Sequence, residues 1–311
     1  MPSITLPESA KLAQDDLVAG IIENIITVNH MFEMLPFDGI DGNALSYNRE
    51  NVLGDVQQLG VGGVITAKAP ATFTNVTSSL TTIIGDAEVN GLIQATRSSD
   101  GNDQTAVQIA SKAKSAGRDY QNQLINGTGA SDQFSGLSLL VDGSQSIVQD
   151  TGGSVTNGGV LSFAKLDELI DLVTDKDGNV DYIAKNARTI RSYYALLRGL
   201  GGASIMDTVE LPSGTVIPAY RGIPILRNDY IPVNQTTGTL SDGTTVFAGT
   251  FDDGSRSSGI AGLTATNASG ISVVDVGESE TRDESITRVK WYCGLALFSL
   301  KGLAALTGVA N

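Results

Sequence analysis

With 311 residues, 41% hydrophobic and 17% charged, the chain has the composition of a folded protein, long enough for two ordinary domains or one large domain with extensions. Its 20 basic side chains face 34 acidic ones, a formal net charge of −14, so it lacks the Lys and Arg excess that non-specific nucleic-acid binding needs. One cysteine, Cys293, excludes an internal disulfide, and one histidine, His30, leaves no zinc-ligand set.

The start, Met1-Pro2-Ser3-Ile4, lacks the basic beginning and apolar run of a secretory signal. The most apolar stretch, Trp291 to Leu300, is stopped by Lys301, short of the ~20 residues a membrane span takes. The expected site of action is the cytosol, or a particle assembled there. From Glu8 to Leu35, Leu12, Leu17, Val18, Ile21, Ile22, Ile25 and Ile26 recur at helical spacing between Pro7 and Pro36. This predicts an amphipathic N-terminal arm whose single apolar stripe needs cover, from its own core or a neighbouring subunit.

Asp38-Gly-Ile-Asp-Gly42 reads as a turn cluster, followed by a strand over about Ala44 to Asn48. Gly60-Val-Gly-Gly63 then separates two β-rich runs, the second being Val64-Ile-Thr-Ala. Residues 43–75 therefore read as a long hairpin-like excursion with a flexible tip. An isolated two-stranded ribbon is marginal in water, so this one is expected to rest on another surface.

Asp100-Gly-Asn-Asp103 opens the clearest helix, with Ala106, Ile109, Ala110, Ala113, Ala116, Tyr120 and Leu124 on one face and Asn126-Gly127 as its end. Acids at its start and Lys112, Lys114 and Arg118 further along suit the helix dipole. The small alanines predict close packing on a sheet. Ser162 caps a second helix facing inward through Phe163, Leu166, Leu169, Ile170 and Val173. Asp181 to Ala184 reads as a strand, and a third helix runs from about Ala187 to Leu200, stopped by Gly201-Gly202. Strands follow at Thr215 to Pro218, Ile223 to Leu226, Thr245 to Phe251, Ile271 to Val276 and Thr287 to Tyr292, before an Ala/Leu-rich tail. Helices and strands interleave without a regular βαβ period or internal repeat, which defines an α+β class.

Catalytic constellations find little footing. His30 sits in the arm, and no G-x-S-x-G elbow occurs. Cys293 lies in an apolar strand, where a free cysteine acts as a small buried hydrophobe. Gly199-Leu-Gly-Gly202 follows a helix instead of opening one, and Gly60-Val-Gly-Gly63 lacks the Lys-Ser/Thr of a phosphate loop. Asp175-Lys-Asp177-Gly-Asn179-Val-Asp181 begins like a calcium loop, but its glycine falls at Gly178 and Asn186 stands where the bidentate Glu belongs. A plain turn is the expected reading there. No catalytic, cofactor or metal residue is nominated, and the chain is expected not to be an enzyme.

The residues nominated for interaction are of another kind. Arg188, Arg191 and Arg198 line one side of the third helix, Lys185 sits just before it, and no acid falls between Asp181 and Asp207. The stripe reads as facing nucleic acid, as pairing with acids on an adjacent subunit, or as an ordinary solvated face. In the excursion the nominated residues are Lys68, Gly60, Gly62 and Gly63.

Three phrases follow one another over nearly the full chain. They are Leu35-Pro-Phe-Asp-Gly-Ile-Asp-Gly-Asn-Ala-Leu-Ser-Tyr-Asn-Arg-Glu50; Asp103-Gln-Thr-Ala-Val-Gln-Ile-Ala110 leading to Leu124-Ile-Asn-Gly-Thr-Gly129 and Phe134-Ser-Gly-Leu137; and Tyr220-Arg-Gly-Ile-Pro-Ile-Leu-Arg-Asn-Asp-Tyr-Ile-Pro232 with Val246-Phe-Ala-Gly-Thr-Phe251 behind it. In this order the chain resembles the major capsid proteins of tailed bacteriophages with the Hong Kong 97 fold. The first phrase looks like the entry to the extended loop, the second like the spine helix and the turn after it, and the third like the axial domain leaving toward the final strands.

The resemblance implies an N-terminal arm over 1–36, an extended loop over 43–75, and an axial domain over 160–260. A peripheral domain would comprise 37–42, 76–159 and 261–311, with the spine helix near 103–126. It implies a structural subunit that self-assembles through pentamers and hexamers into an icosahedral head around double-stranded DNA. That DNA would be contained without sequence-specific binding. Assembly is expected in the host cytoplasm, with the protein residing in the virion and no membrane or cofactor involved. Because the arm begins close to Met1, a separate scaffolding protein is expected, with a portal and a decoration protein as further candidate partners. The alternative on the same fold is an encapsulin-like nanocompartment shell. Covalent cross-linking is not carried over, since Lys68 has no identified Asn or acid partner.

Overall fold

The computed structural model describes residues 30–97, 103–130, 132–150, 157–175, 178–199 and 207–310. The arm predicted over 8–35 lies outside them except for 30–35, which holds helix α1 (His30–Met34). Strands β1 (Phe37–Ile40), β2 (Ala44–Val52), β3 (Thr72–Ser79) and β4 (Thr81–Asn90) follow, then helices α2 (Gly91–Arg97), α3 (Gln104–Asn126) and α4 (Leu137–Leu140). Next come β5 (Ser146–Val148), β6 (Gly159–Val160), α5 (Phe163–Thr174), β7 (Tyr182–Lys185) and α6 (Ala187–Gly199). The remainder is β8 (Asp207–Glu210), β9 (Val216–Tyr220), β10 (Ile223–Arg227), β11 (Gln235–Thr237) and β12 (Leu240–Gly249). Strands β13 (Ile260–Ala265), β14 (Ser272–Glu278), β15 (Glu284–Leu297) and β16 (Leu303–Ala310) complete the chain.

Strand β15 organises a five-stranded sheet. Strand β4 runs antiparallel along one edge, from Glu284↔Asn90 to Cys293↔Thr81, while β14 and β13 share the other edge. Strand β1 pairs parallel with β13, from Phe37↔Gly262 to Ile40↔Ala265. The cluster read as a turn at 38–42 is thus largely strand, and the bend falls at 41–43. Pairing with β13 holds this segment extended, and its Asp38 is gripped by a bidentate ion pair from Arg256, at 2.6 and 3.0 Å.

Helix α3 starts where the sequence places it, with Asp103 as N-cap accepting from the Thr105 amide at 2.9 Å. Tyr120 fixes it to the first sheet, its ring centroid 4.6 Å from Trp291, 5.8 Å from Phe37 and 5.4 Å from Phe134. The buried face is shorter than predicted. Ala116, Tyr120, Leu124 and Ile125 are buried, whereas Ala106 and Ala110 are exposed. The first turns therefore carry apolar groups that the described chain does not cover.

The second sheet has nine strands in the order β5-β16-β12-β7-β10-β9-β8, with β11 on β12 and β6 on β16. Ser162 caps α5 as predicted, accepting from the Lys165 amide. Leu166, Leu169, Ile170 and Val173 of α5, with Tyr193 and Leu197 of α6, cover one face at Ile183, Ile225, Val246 and Leu306. The alternation of strand side chains sends Tyr182, Ala184, Phe247 and Leu303 to the other face, where they share a core with Tyr120, Leu124 and Trp291. One continuous core thus joins both sheets.

One further expectation needs correction. Val64 to Ala67 is not strand; the return limb of the ribbon pairs only from Thr72 onward. The Ala/Leu-rich tail is β16, pairing antiparallel with β12 and parallel with β5 and β6 inside the nine-stranded sheet. A strand buried on both faces has no alternation to betray it.

Candidate functional site

The most exposed apolar surface lies on the ribbon. Strands β2 and β3 pair antiparallel from Ala44↔Ser79 to Val52↔Thr72. Beyond them the Asp55 amide still reaches the Ala69 carbonyl at 3.0 Å. There the Gln57 side chain replaces ladder hydrogen bonds, its Oε1 accepting from the Thr66 and Ala67 amides at 2.6 and 2.7 Å. The Gly63 amide closes on the Gly60 carbonyl at 3.1 Å, and Gly62 takes φ +84°, a left-handed conformation that explains a glycine at the tip. Gly60, Gly62 and Gly63 are exposed, as is Lys68 on the return limb.

The root of the ribbon is fixed and the distal half is not. Tyr47 Oη donates to the Leu297 carbonyl at 2.6 Å, and the Arg49 guanidinium donates to the Leu297 and Phe298 carbonyls at 2.6 and 3.0 Å. The Tyr47 ring meets Phe298 edge-on at 5.2 Å. Further out, Leu53, Val56, Val61 and Val64 are 75%, 89%, 112% and 79% exposed. A contiguous apolar limb of this kind marks a protein contact. Val273, Val274 and Val276 on edge strand β14 are exposed as well.

The arginine stripe divides on inspection. Arg191 and Arg198 are exposed and Arg188 is half-buried, its amide capped by Asn186 Oδ1 at 3.0 Å. Thr189, Tyr193 and Leu197 form the inward face of α6. Lys185, the residue just before the helix, does not belong to the stripe: it is fully buried. The strand alternation that turns Ile183 inward turns Lys185 inward too, a consequence that charge counting missed.

Other chemistry-bearing groups are spoken for. The Cys293 thiol is buried, and that burial pushes it up to about 12. Asp181, from the calcium-like phrase, accepts from Asn179 Nδ2 at 2.7 Å and from the Phe251 amide at 2.8 Å. Asp175 lies 3.8 Å from Lys301 Nζ, and Lys176 and Asp177 fall outside the described residues. A cavity of about 280 Å³ sits under Phe163, Tyr193, Tyr220 and Arg221, where Asp167 accepts from both Tyr220 Oη and Arg221.

Two sheets on one core, a long helix locked to the first, and a ribbon anchored at its root are the architecture of the Hong Kong 97 shell-protein fold, and this chain has that fold. It is similar to the holo-SrpI encapsulin complex of Synechococcus elongatus, 18% identical with a TM-score of 0.73, covering 99% of this chain and 96% of that one. It is also similar to the cyanophage A-1(L) capsid, 13% identical with a TM-score of 0.68, covering 99% of this chain and all of that one (100%). The capsid of the native GTA particle is 12% identical with a TM-score of 0.60, covering 98% of each chain. No protein-family model and no curated protein matches the sequence.

Proposed function

We propose that this chain is a structural subunit, not a catalyst, that self-assembles through pentamers and hexamers into a closed icosahedral shell, and that the shell is a tailed-phage head holding double-stranded DNA. The observation that carries the shell reading is the ribbon. Its root is hydrogen-bonded to β15, while its distal half presents Leu53, Val56, Val61 and Val64 to solvent. Such a limb makes sense in water only when neighbouring subunits cover it. The fold supports the same reading, since the similar structures are a phage capsid, a GTA capsid and an encapsulin complex.

The choice of contents rests on less. Likeness to the cyanophage A-1(L) capsid supports it, and a formal charge of −14 suits a wall that contains DNA without gripping it. Assembly in the host cytoplasm, a separate scaffolding protein, a portal and a decoration protein go with that reading. The second reading is a nanocompartment that encloses protein, favoured by the 0.73 TM-score to the encapsulin. Electron microscopy of the protein from its native source, with nucleic acid assayed in the same fraction, separates them. Polyhedral shells with DNA support the phage head, shells with protein alone transfer the reading to a nanocompartment, and a monomer without shells overturns both.

A further inference from the structure

The least explained group in the protein is a lysine. Lys185 ends β7, a strand in the middle of the nine-stranded sheet, and its side chain is 0% exposed. Among the described residues its Nζ has no hydrogen-bond partner, and it lies 4.7 Å from the centroid of the Tyr193 ring, on the inward face of α6. Tyr193 in turn donates from its hydroxyl to the Ala219 carbonyl of β9 at 2.9 Å, so the ring that faces the amine also ties the helix to the sheet. An ammonium ion has three donors, and here none is satisfied. We propose that Lys185 is a built-in acid latch: with its amine neutral, α6 closes on the nine-stranded sheet, and protonation of the amine releases that contact.

Among the described residues the surroundings supply no countercharge. On α6 the titratable neighbours are Tyr193 itself and Arg188, which is half-buried and of the same sign. On β10 the register partner of Lys185 is Arg227, whose exposed guanidinium pairs with Asp229. Strand β12, pairing on the other side, carries no ionisable side chain from Thr244 to Gly249. On α5, Asp167 is engaged by Tyr220 and Arg221. Asp207 bears on Tyr193, but it is exposed at the edge of the sheet. A charged amine would thus be buried with an aromatic face as its whole compensation, worth far less than its lost hydration.

Burial alone lowers the amine to about 7, from an ordinary value near 10.4. The sign follows. Where the folded form holds the amine below its unfolded value, the folded state binds fewer protons than the opened one. Closure is therefore strongest at high pH, weakens as pH falls toward about 7, and levels off below it, by up to roughly tenfold in the opening constant per pH unit. This device does not depend on what the protein builds; it belongs to the folded chain.

The test uses the full-length protein and trace acylation of its amines between about pH 6 and 9. Reactivity of Lys185 is read as a ratio to that of exposed Lys68. Normalising to an amine that is always exposed makes the ratio report how often Lys185 becomes accessible. The ratio is expected to rise roughly tenfold per unit as pH drops from 9 toward 7, then flatten. A ratio that does not change with pH overturns the proposal. Hydrogen exchange of α6 in Lys185→Met, corrected for intrinsic rates, gives an independent reading. The variant is expected to keep α6 protected at pH 6 as at pH 9, and a pH dependence equal to that of the unaltered chain would equally refute the latch. Should Lys185→Met fail to fold, the acylation ratio decides by itself.

Discussion

Arg49 shows how far one side chain reaches. It lies in a phrase legible in the sequence, but its partners are the Leu297 and Phe298 carbonyls, nearly 250 residues away in the chain. No local pattern could disclose that pairing. Arg49→Ala is expected to lower stability by about 1–3 kcal/mol, because hydrogen bonds from a charged donor are lost and their acceptors left without it. Urea denaturation reads the loss, and limited proteolysis should cut the ribbon faster; an unchanged midpoint with unchanged cleavage would remove the anchor. Gly127 teaches the complementary lesson. The sequence marks Asn126-Gly127 as the end of α3, without showing why the second residue is glycine. In the structure its φ is −56°, and the constraint is space, with a Cβ falling 2.2 Å from the Phe134 carbonyl and 2.5 Å from that of Gln123. Gly127→Ala is therefore expected to cost about 1–3 kcal/mol or more, as overpacking does. A thermal midpoint within error of the unaltered protein would show that the turn gives way.

At the scale of elements, the three long helices were legible, while the short α2 and α4 and half the strands were not. Asp103 and Ser162 announce α3 and α5 because capping is written in adjacent residues. Strand β4 went unread although it pairs with β15 over ten residues, and β16 because nearly every one of its residues is buried. A sheet is specified by partners distant in sequence, and only a half-exposed strand alternates. The ribbon was readable as an excursion, but not the Gln57 clamp that carries it beyond the ladder. Deleting residues 50–68 is expected to leave the two-sheet core folded while abolishing assembly, since these residues contribute nothing to the buried clusters. Circular dichroism and electron microscopy check the two halves, and normal shells from the deletion would deny the ribbon its role. Arg191→Glu tests the stripe. Arg191 is exposed, so stability should change by no more than about 0.5 kcal/mol. Assembly or retention of nucleic acid is expected to suffer from the reversed charge; full particles at normal yield would assign that face to solvent.

For the whole molecule the deciding quantity is surface. Among the described residues the exposed apolar surface is most prominent at Val56, Val61 and Val64, on a limb of the kind that an obligate interface, burying roughly 2,000–5,000 Å², would cover. The sequence hinted at this through its glycine-tipped excursion, but the amount of uncovered surface is a property of three-dimensional shape and could not be read from composition. If neighbouring subunits cover the limb as proposed, association favours the folded state by mass action. Under conditions where subunits and assemblies exchange, the unfolding midpoint is expected to rise with total protein concentration, and the residues 50–68 deletion is expected to lose that dependence. A midpoint constant across a wide dilution series, in a sample shown to exchange, would mean that the exposed limb contributes nothing to stability and that the chain stands alone.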